Sequence, residues 1–243
     1  MARAVIALAM IALSVAVAQA APLVYLRDVD SSIAQDMRYA GSDNFTGRKL
    51  PGYDAPECLL RPQAANALKR VQAELAAANL SLKVYDCYRP TRAVAAMAAW
   101  SRAKDDPQTK RFYPALDKSK LFALGYISNR SAHSRGVAVD LTLVPRGSAT
   151  AAFDPKANDG SCNGPVSARA PDNSLDMGTG YDCFDARSHT HSPSITLAQA
   201  ANRRLLVEAM RKHGFSNYKR EWWHFSFNSA DDGVAFNTPI APR

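Results

Sequence analysis

The chain has 243 residues, of which 30 are basic and 22 acidic, giving a formal net charge of +8. The basic residues are spread along the chain without a run of five, so the charge gives little support to a nucleic-acid partner. No low-complexity or Gly/Ser-rich linker divides the sequence, and its length suits one sizeable domain. We therefore expect residues 21–243 to form one folding unit.

Residues 1–20 have the composition of a signal peptide. They contain one charged side chain, Arg3, and an apolar stretch that closes on Ala18-Gln19-Ala20, the small-x-small pattern of a cleavage site. A retained N-terminal anchor is the alternative, but the apolar run is shorter than the roughly 20 residues that span a bilayer. We predict export to the periplasm, removal of the leader and no stable membrane insertion of the mature protein.

Export changes the meaning of the four cysteines, since oxidising compartments favour disulfides. The cysteines include no C-x-x-C pair, and four of them allow three connectivities. We favour pairing Cys58 with Cys87 and Cys162 with Cys183, because each pair flanks one continuous segment. Ligation of zinc by the thiolates is the alternative.

The first predicted elements follow an irregular start. Residues 21–60 show no strong period and contain turn signals, which indicates an N-terminal arm packed on the domain. From Pro62, apolar residues recur every three or four positions and predict an amphipathic helix to about Ala78. A short strand at 82–85 and a second, alanine-rich helix with Thr91 as its N-cap follow.

The second half of the chain completes the fold. Residues 136–144 alternate in character, which predicts a strand with one apolar face and Asp140 on the other. Residues 145–195 are rich in turn-forming residues and indicate a long structured loop, a length that is uncommon unless functional. A helix at 196–212 and a closing strand at 222–227 complete a single α+β domain, in which helices flank an antiparallel central sheet.

Two runs at the ends of predicted strands carry metal-binding chemistry. In SAHSRGVAVD, residues seven apart on one straight strand point to opposite faces, so His133 and Asp140 meet only if the chain bends at Gly136. In EWWH, strand alternation directs His224 away from the core, and Glu221 lies in the turn just before it. The two runs together predict one site at the mouth of the sheet.

Neutral imidazoles and a carboxylate suit zinc, and three protein ligands with an open fourth position are typical of a catalytic zinc site. We expect His133, Asp140 and His224 to bind one Zn2+ per chain and Glu221 to act as the general base that takes a proton from water. A single histidine beside a strand is more often a core or surface residue than a ligand. The prediction therefore depends on both runs lying at the same place.

These runs resemble the paired signatures of the D-alanyl-D-alanine dipeptidases, which are relatives of the zinc D,D-carboxypeptidases. The similarity extends to NFTGRKLPGY, YDCYRP, MGTGYDCFDARSHTH and AQAANRRLL, and so covers nearly the whole mature chain. It implies that residues 61–243 form a zinc dipeptidase domain with the same three ligands and the same base.

The resemblance also assigns contacts to the substrate. Arg89 matches the arginine that stabilises the transition state, and Asp182 matches the acidic residue that holds the substrate ammonium. Ser131 and Tyr39 are further candidates for binding the dipeptide. Without the resemblance, a surface ion pair at Arg89 and an Asx turn at Asp182 would be the simpler interpretations.

The chain also departs from the family pattern. Cys87 stands where relatives commonly have a small residue, and the segment between Val144 and Met177 is longer than in compact members, so it could alter access to the pocket. His189 and His191 share a face if extended and could form a second metal site. Orientation of the loop or of a ligand is the favoured role of His189.

Three functions are compatible with this pattern. The first is hydrolysis of D-alanyl-D-alanine in turnover or salvage of cell-wall dipeptide. The second is D,D-carboxypeptidase or endopeptidase cleavage of longer peptidoglycan peptides, and the third is a non-catalytic zinc module that binds such peptides. Glu221 and Arg89 argue against the third function. Asp182 distinguishes the first two, because a dipeptidase must recognise a free ammonium group.

Overall fold

The computed structural model describes residues 22–149, 151 and 160–243. The predicted signal peptide at residues 1–20 lies outside these ranges. Within them, none of the helices is long and apolar enough to cross a bilayer.

The described ranges form four α-helices and seven β-strands, connected by loops and short 3-10 turns. In chain order these elements are β1 Val24–Tyr25, α1 Leu26–Val29, β2 Ala34–Gln35, β3 Leu59–Leu60, α2 Pro62–Ala76, β4 Leu80–Asp86, α3 Thr91–Arg102, β5 Ala138–Pro145, α4 Leu197–Lys212, β6 Ser216–Asn217 and β7 His224–Ser226.

Five strands form the central sheet in the order β2-β4-β5-β7-β6, and β1 pairs with β3 in a small second sheet. Neighbouring strands of the central sheet are antiparallel except β2 and β4, which are parallel. The predicted α+β class is confirmed, but the sheet is mixed at one edge. The N-terminal segment 21–60 supplies that edge strand, and α2 lies in the crossover that a parallel pair requires.

Local signals determine where the long helices begin. Pro62 occupies the first position of α2, where a missing N–H has no consequence, and Leu68 lies on the buried face that packs on β4. The helix ends at Ala76, slightly before its predicted end. Thr196 caps α4 through a capping box with Gln199, which satisfies two free backbone donors.

The prediction of Thr91 as the N-cap of α3 is wrong. Pro90 is the N-cap, and Thr91 is the first helical residue. The N–H group of Thr91 donates instead to the carbonyl of Phe236, far away in the chain. A tertiary contact therefore satisfies a donor that a local cap would otherwise serve.

Strand β5 is buried on both faces rather than on one. The segment 171–182 covers the face that carries Asp140. Its Asp172 accepts a hydrogen bond of 2.5 Å from the Tyr85 hydroxyl on β4, and the Tyr181 ring stacks on Tyr85 with centroids 4.5 Å apart. This part of the long predicted loop is thus a structured cover over the sheet.

Both predicted disulfides are confirmed. Cys58 is bonded to Cys87, and Cys162 is bonded to Cys183. The first bond joins the chain before β3 to the residue that follows β4. The second bond joins two parts of the long loop, and no cysteine remains for thiolate ligation of zinc.

Candidate metal centre

Asp140 and His224 lie opposite each other in the pairing of β5 with β7. His133 lies before β5 in a 3-10 turn, His133–Arg135. Gly136 ends this turn in the left-handed region, with φ at 70°, and reverses the chain so that β5 carries Asp140 back to His133. The predicted bend is confirmed, and it brings the side chains of both runs together.

The three candidate donor atoms, from His133, Asp140 and His224, form a small triangle that we call the metal triangle. His133 Nε2 lies 3.1 Å from His224 Nδ1 and 3.3 Å from Asp140 Oδ1, and the third side, from His224 Nδ1 to Asp140 Oδ1, is 2.9 Å. Bonds of about 2.0–2.2 Å to a tetrahedral zinc ion separate neighbouring donors by roughly 3.3 Å. The triangle therefore matches one face of a zinc tetrahedron, and the donor set of two imidazoles and a carboxylate fits the metal.

The surroundings of the triangle orient His133 and favour an ionised Asp140 and a neutral His224. The carbonyl of Cys87 lies 2.7 Å from His133 Nδ1 and accepts its proton, which leaves the Nε2 lone pair directed at the triangle. The Tyr181 hydroxyl donates to Asp140 Oδ2 at 3.1 Å. Burial disfavours ionisation of Asp140, but its interactions with His133 and His224 outweigh this and hold the pKa of the carboxyl well below its usual range. Burial also lowers the pKa of the His224 imidazole.

Glu221 lies beside the triangle but outside it. It belongs to the turn before β7, and its Oε2 is 3.9 Å from His224 Nδ1. The pKa of the Glu221 carboxyl is well above its ordinary value. Burial is the main cause, and the negative charges of Asp140 and Asp182 add to it. A carboxylate with a raised pKa is a stronger base toward water.

Arg89 follows β4 and is held by Asp86, the last residue of that strand. Its Nε and Nη2 both contact Asp86 Oδ2, at 2.9 and 2.8 Å, and Asp86 Oδ1 accepts a hydrogen bond of 2.6 Å from the Tyr53 hydroxyl. Arg89 Nη2 lies 3.7 Å from Asp140 Oδ2, so the guanidinium borders the metal triangle. Asp86 is not among the predicted site residues, although its D-x-x-R spacing with Arg89 at a strand end is a usable signal.

Asp182 lies in the long loop with a left-handed backbone, at φ 54°. Its buried carboxylate accepts a hydrogen bond of 2.7 Å from the Tyr39 hydroxyl, and the Arg89 guanidinium lies over the Tyr39 ring at 4.9 Å. The pKa of the Asp182 carboxyl is well above its usual range. Burial is the main cause, and the negative charge of Asp140 adds to it. A cation placed against this carboxyl would favour its ionised form.

One cavity of about 330 Å³ connects these groups. Ser131 lies in its wall, and the Ser131 hydroxyl accepts a hydrogen bond of 3.2 Å from the His133 backbone N–H. Apolar side chains, including Phe45, Met97 and Phe184, line another part of the cavity. The predicted site residues all border it: Tyr39, Arg89, Ser131, His133, Asp140, Asp182, Glu221 and His224.

His189 and His191 do not belong to the three-ligand group found among the described residues. His189 Nε2 lies 3.4 Å from the Tyr126 hydroxyl, and its backbone carbonyl accepts a hydrogen bond of 2.6 Å from Arg203 Nη1 on α4. His191 is exposed. Orientation of the loop or of a ligand by His189 stays a prediction.

Comparison with protein families adds independent information. A family model described as peptidase M15, D-Ala-D-Ala dipeptidase, matches residues 19–152 and 166–240. The match omits residues 153–165, which agrees with the expectation of a longer segment between Val144 and Met177.

Curated relatives match over most of their length. A D-alanyl-D-alanine dipeptidase of Streptomyces coelicolor is 34% identical over 219 residues, which cover 89% of this chain and 97% of the relative. The enzyme of the same name from Enterococcus faecalis is 32% identical, covering 83% of this chain and 89% of its own. The one from Escherichia coli is 33% identical and covers 86% of each chain.

Proposed function

Because the chain belongs to the peptidase M15 family of D-Ala-D-Ala dipeptidases, we propose that it hydrolyses the dipeptide D-alanyl-D-alanine with one zinc ion bound by His133, Asp140 and His224. The observation that carries this proposal is the meeting of a zinc-sized donor triangle, a buried carboxylate and an arginine in one cavity. A dipeptide enters such a site with its peptide carbonyl toward the triangle.

Zinc held by His133, Asp140 and His224 would supply Lewis acidity, which would acidify water and polarise a carbonyl oxygen. Glu221 accepts the proton of the attacking water on a carboxylate oxygen and then delivers it to the leaving amine. The burial of Glu221 supports this role, because it raises the pKa of the carboxyl and excludes competing water.

Arg89 stabilises the negative charge that develops on the carbonyl oxygen during attack. Two contacts to Asp86 fix the guanidinium before substrate arrives, so little reorganisation is needed in the transition state. Such preorganised donors contribute a few kcal/mol, roughly 3–4 in typical cases.

Asp182 binds the substrate ammonium, and the Tyr39 hydroxyl holds its carboxylate in place. This pairing selects dipeptides, because a longer peptide presents an uncharged amide at the same position. Ser131 lies in the cavity wall, just before the turn that carries His133, and is proposed to contact the dipeptide as well.

The two disulfides support a location outside the cytosol, since reducing compartments keep cysteine thiols reduced. We place the enzyme in the periplasm after removal of residues 1–20. There it would act in turnover or salvage of D-alanyl-D-alanine released from peptidoglycan.

The test is amine release by zinc-loaded protein from a panel of peptides. We expect hydrolysis of D-Ala-D-Ala, little hydrolysis of L-Ala-L-Ala, and none of N-acetyl-D-Ala-D-Ala or of a pentapeptide that ends in D-Ala-D-Ala. Removal of the metal with a chelator should abolish activity, and added zinc should restore it.

The other outcomes each identify an alternative function. Equal cleavage of the acetylated dipeptide or of the pentapeptide would show a carboxypeptidase or endopeptidase and would contradict the proposal. Peptide binding without cleavage of any substrate would indicate a non-catalytic zinc module.

A further inference from the structure

The segment that the family model omits, residues 153–165, carries Cys162, and the partner of Cys162 directly follows Asp182. We propose that the Cys162–Cys183 disulfide positions Asp182 for the substrate ammonium and thereby sets the affinity for the dipeptide. The inference rests on the ammonium-binding role proposed for Asp182.

The backbone at Asp182 needs support from its surroundings. Its φ of 54° lies in the left-handed region, which is unfavourable for a residue with a Cβ atom and persists only where neighbouring structure imposes it. The side chain adds a second cost, because it is 4% exposed and lies in the field of Asp140. A free loop would relieve both by turning Asp182 toward solvent.

Cys162 holds the loop on both sides of Asp182. On one side, its backbone carbonyl accepts a hydrogen bond of 2.8 Å from the Gly180 N–H group. On the other side, its sulfur is bonded to Cys183. The next residue, Phe184, donates a hydrogen bond of 2.7 Å to the carbonyl of Phe112, which continues the attachment. Cys162 therefore holds the loop on both sides of Asp182, and Phe112 holds the residue that follows Cys183.

The catalytic groups lie on other elements. Glu221 precedes β7, and Arg89 follows β4, where Asp86 holds it. Tyr181 of the same loop donates to Asp140, but the pairing of β5 with β7 holds that ligand independently. Loss of the Cys162–Cys183 bond should thus weaken recognition of the ammonium while leaving the base, the arginine and the metal ligands in place. Its expected effect is on KM rather than on kcat.

The experiment compares two disulfide-free variants of the zinc-loaded protein. The test variant is Cys162→Ser with Cys183→Ser, and the matched control is Cys58→Ser with Cys87→Ser, which removes the other buried disulfide, of similar sequence separation (29 against 21 residues). For each protein we measure kcat and KM for D-Ala-D-Ala, and the inhibition constant of propanoyl-D-alanine, which lacks the ammonium group. Amide hydrogen exchange over residues 180–185 reports the loop directly.

In the test variant we expect KM to rise by about tenfold or more, with kcat and the inhibition constant of propanoyl-D-alanine within about twofold of the original. Exchange should accelerate at Gly180 and Phe184, whose N–H groups are hydrogen-bonded in the oxidised protein. The control should leave that exchange unchanged. Its effect should fall on kcat or zinc content, because the Cys87 carbonyl contacts His133.

Two results would overturn the inference: parallel weakening of D-Ala-D-Ala and propanoyl-D-alanine, or unchanged exchange at residues 180–185. The exchange data decide whether the disulfide holds the loop even if the original protein cleaves no D-Ala-D-Ala, in which case the proposed function alone fails. If the serine pair does not fold, the pair Cys162→Ala with Cys183→Val removes the bond without adding a buried hydroxyl. Failure of both pairs to fold would assign the disulfide to general stability and would also overturn the specific role.

Discussion

Asp140 and Glu221 have similar side chains, but their distances from His224 Nδ1 differ by about 1 Å and suit different roles. Asp140 contributes an oxygen within 2.9 Å of His224 Nδ1, whereas the nearer Glu221 oxygen lies 3.9 Å from that atom. Asp140 has a lowered pKa because the two histidines favour its charge, and Glu221 has a raised pKa because burial and neighbouring carboxylates disfavour it. The first suits a ligand and the second suits a base.

Glu221→Gln should therefore lower kcat by about 100-fold or more while zinc content stays close to one ion per chain. The amide keeps the shape of the side chain but cannot accept the proton of water. Steady-state kinetics and metal analysis of the same preparation measure the two effects. Glu208→Gln, on the exposed face of α4, is the control and should change neither. A parallel loss of zinc and activity in Glu221→Gln would mean that Glu221 is a ligand.

At the scale of elements, the site depends on the junction between β5 and the 3-10 turn that carries His133. Gly136 has a φ of 70°, and a Cβ atom there would lie 2.4 Å from Leu23 Cδ2. Its carbonyl also accepts a hydrogen bond of 2.8 Å from the N–H of Arg61, at the start of α2. The bend that joins His133 to Asp140 is thus packed against the N-terminal segment and α2.

Gly136→Ala should destabilise the protein and weaken zinc binding. The left-handed backbone costs about 1–2 kcal/mol for a residue with a Cβ atom, and displacement of Leu23 or of the turn adds to this. Gly147→Ala is the matched control, since its φ is 82° and, among the described residues other than its chain neighbours, no atom lies within 4 Å of the added Cβ. Denaturant unfolding and zinc titration compare the two variants. Equal zinc affinity in both would show that the turn tolerates the shift.

At the scale of the whole molecule, the C-terminal tail ties the N-terminal segment to the site. Ile240 is fully buried, forms a parallel bridge with Tyr53, and donates its N–H to the carbonyl of Gly52 at 2.8 Å. Tyr53 in turn donates its hydroxyl to Asp86, which holds Arg89. Segments from the two ends of the described chain therefore support a residue beside the metal triangle.

Ile240→Ala should lower the free energy of unfolding by about 2–5 kcal/mol, the usual range for such a cavity in a core. Val234→Ala, at a side chain that is 44% exposed, is the control, and its effect should stay within about 0.5 kcal/mol. Urea unfolding measures both. A small effect at Ile240 would mean that the tail adds little to the stability of the domain.

The sequence by itself determined the parts of this protein that depend on local chemistry. Pro62 and Thr196 mark the starts of α2 and α4, because a missing N–H or a capping oxygen acts within one turn of helix. The alternation after Gly136 identified β5, and the predicted export together with the cysteine spacing favoured the two disulfides that are observed. Recognition of the metal ligands needed the paired motifs, since neither run alone is specific.

The tertiary structure alone decided which groups support those residues. The Tyr181 hydroxyl and the Cys87 carbonyl contact Asp140 and His133 across separations of 41 and 46 residues, so no local period connects them with their partners. The same reason explains why segment 171–182 covers the face of β5 that carries Asp140, and why β2 adds a parallel edge. Periodicity predicts which face of an element is apolar, but contacts between distant segments decide what covers that face and which polar groups are held there.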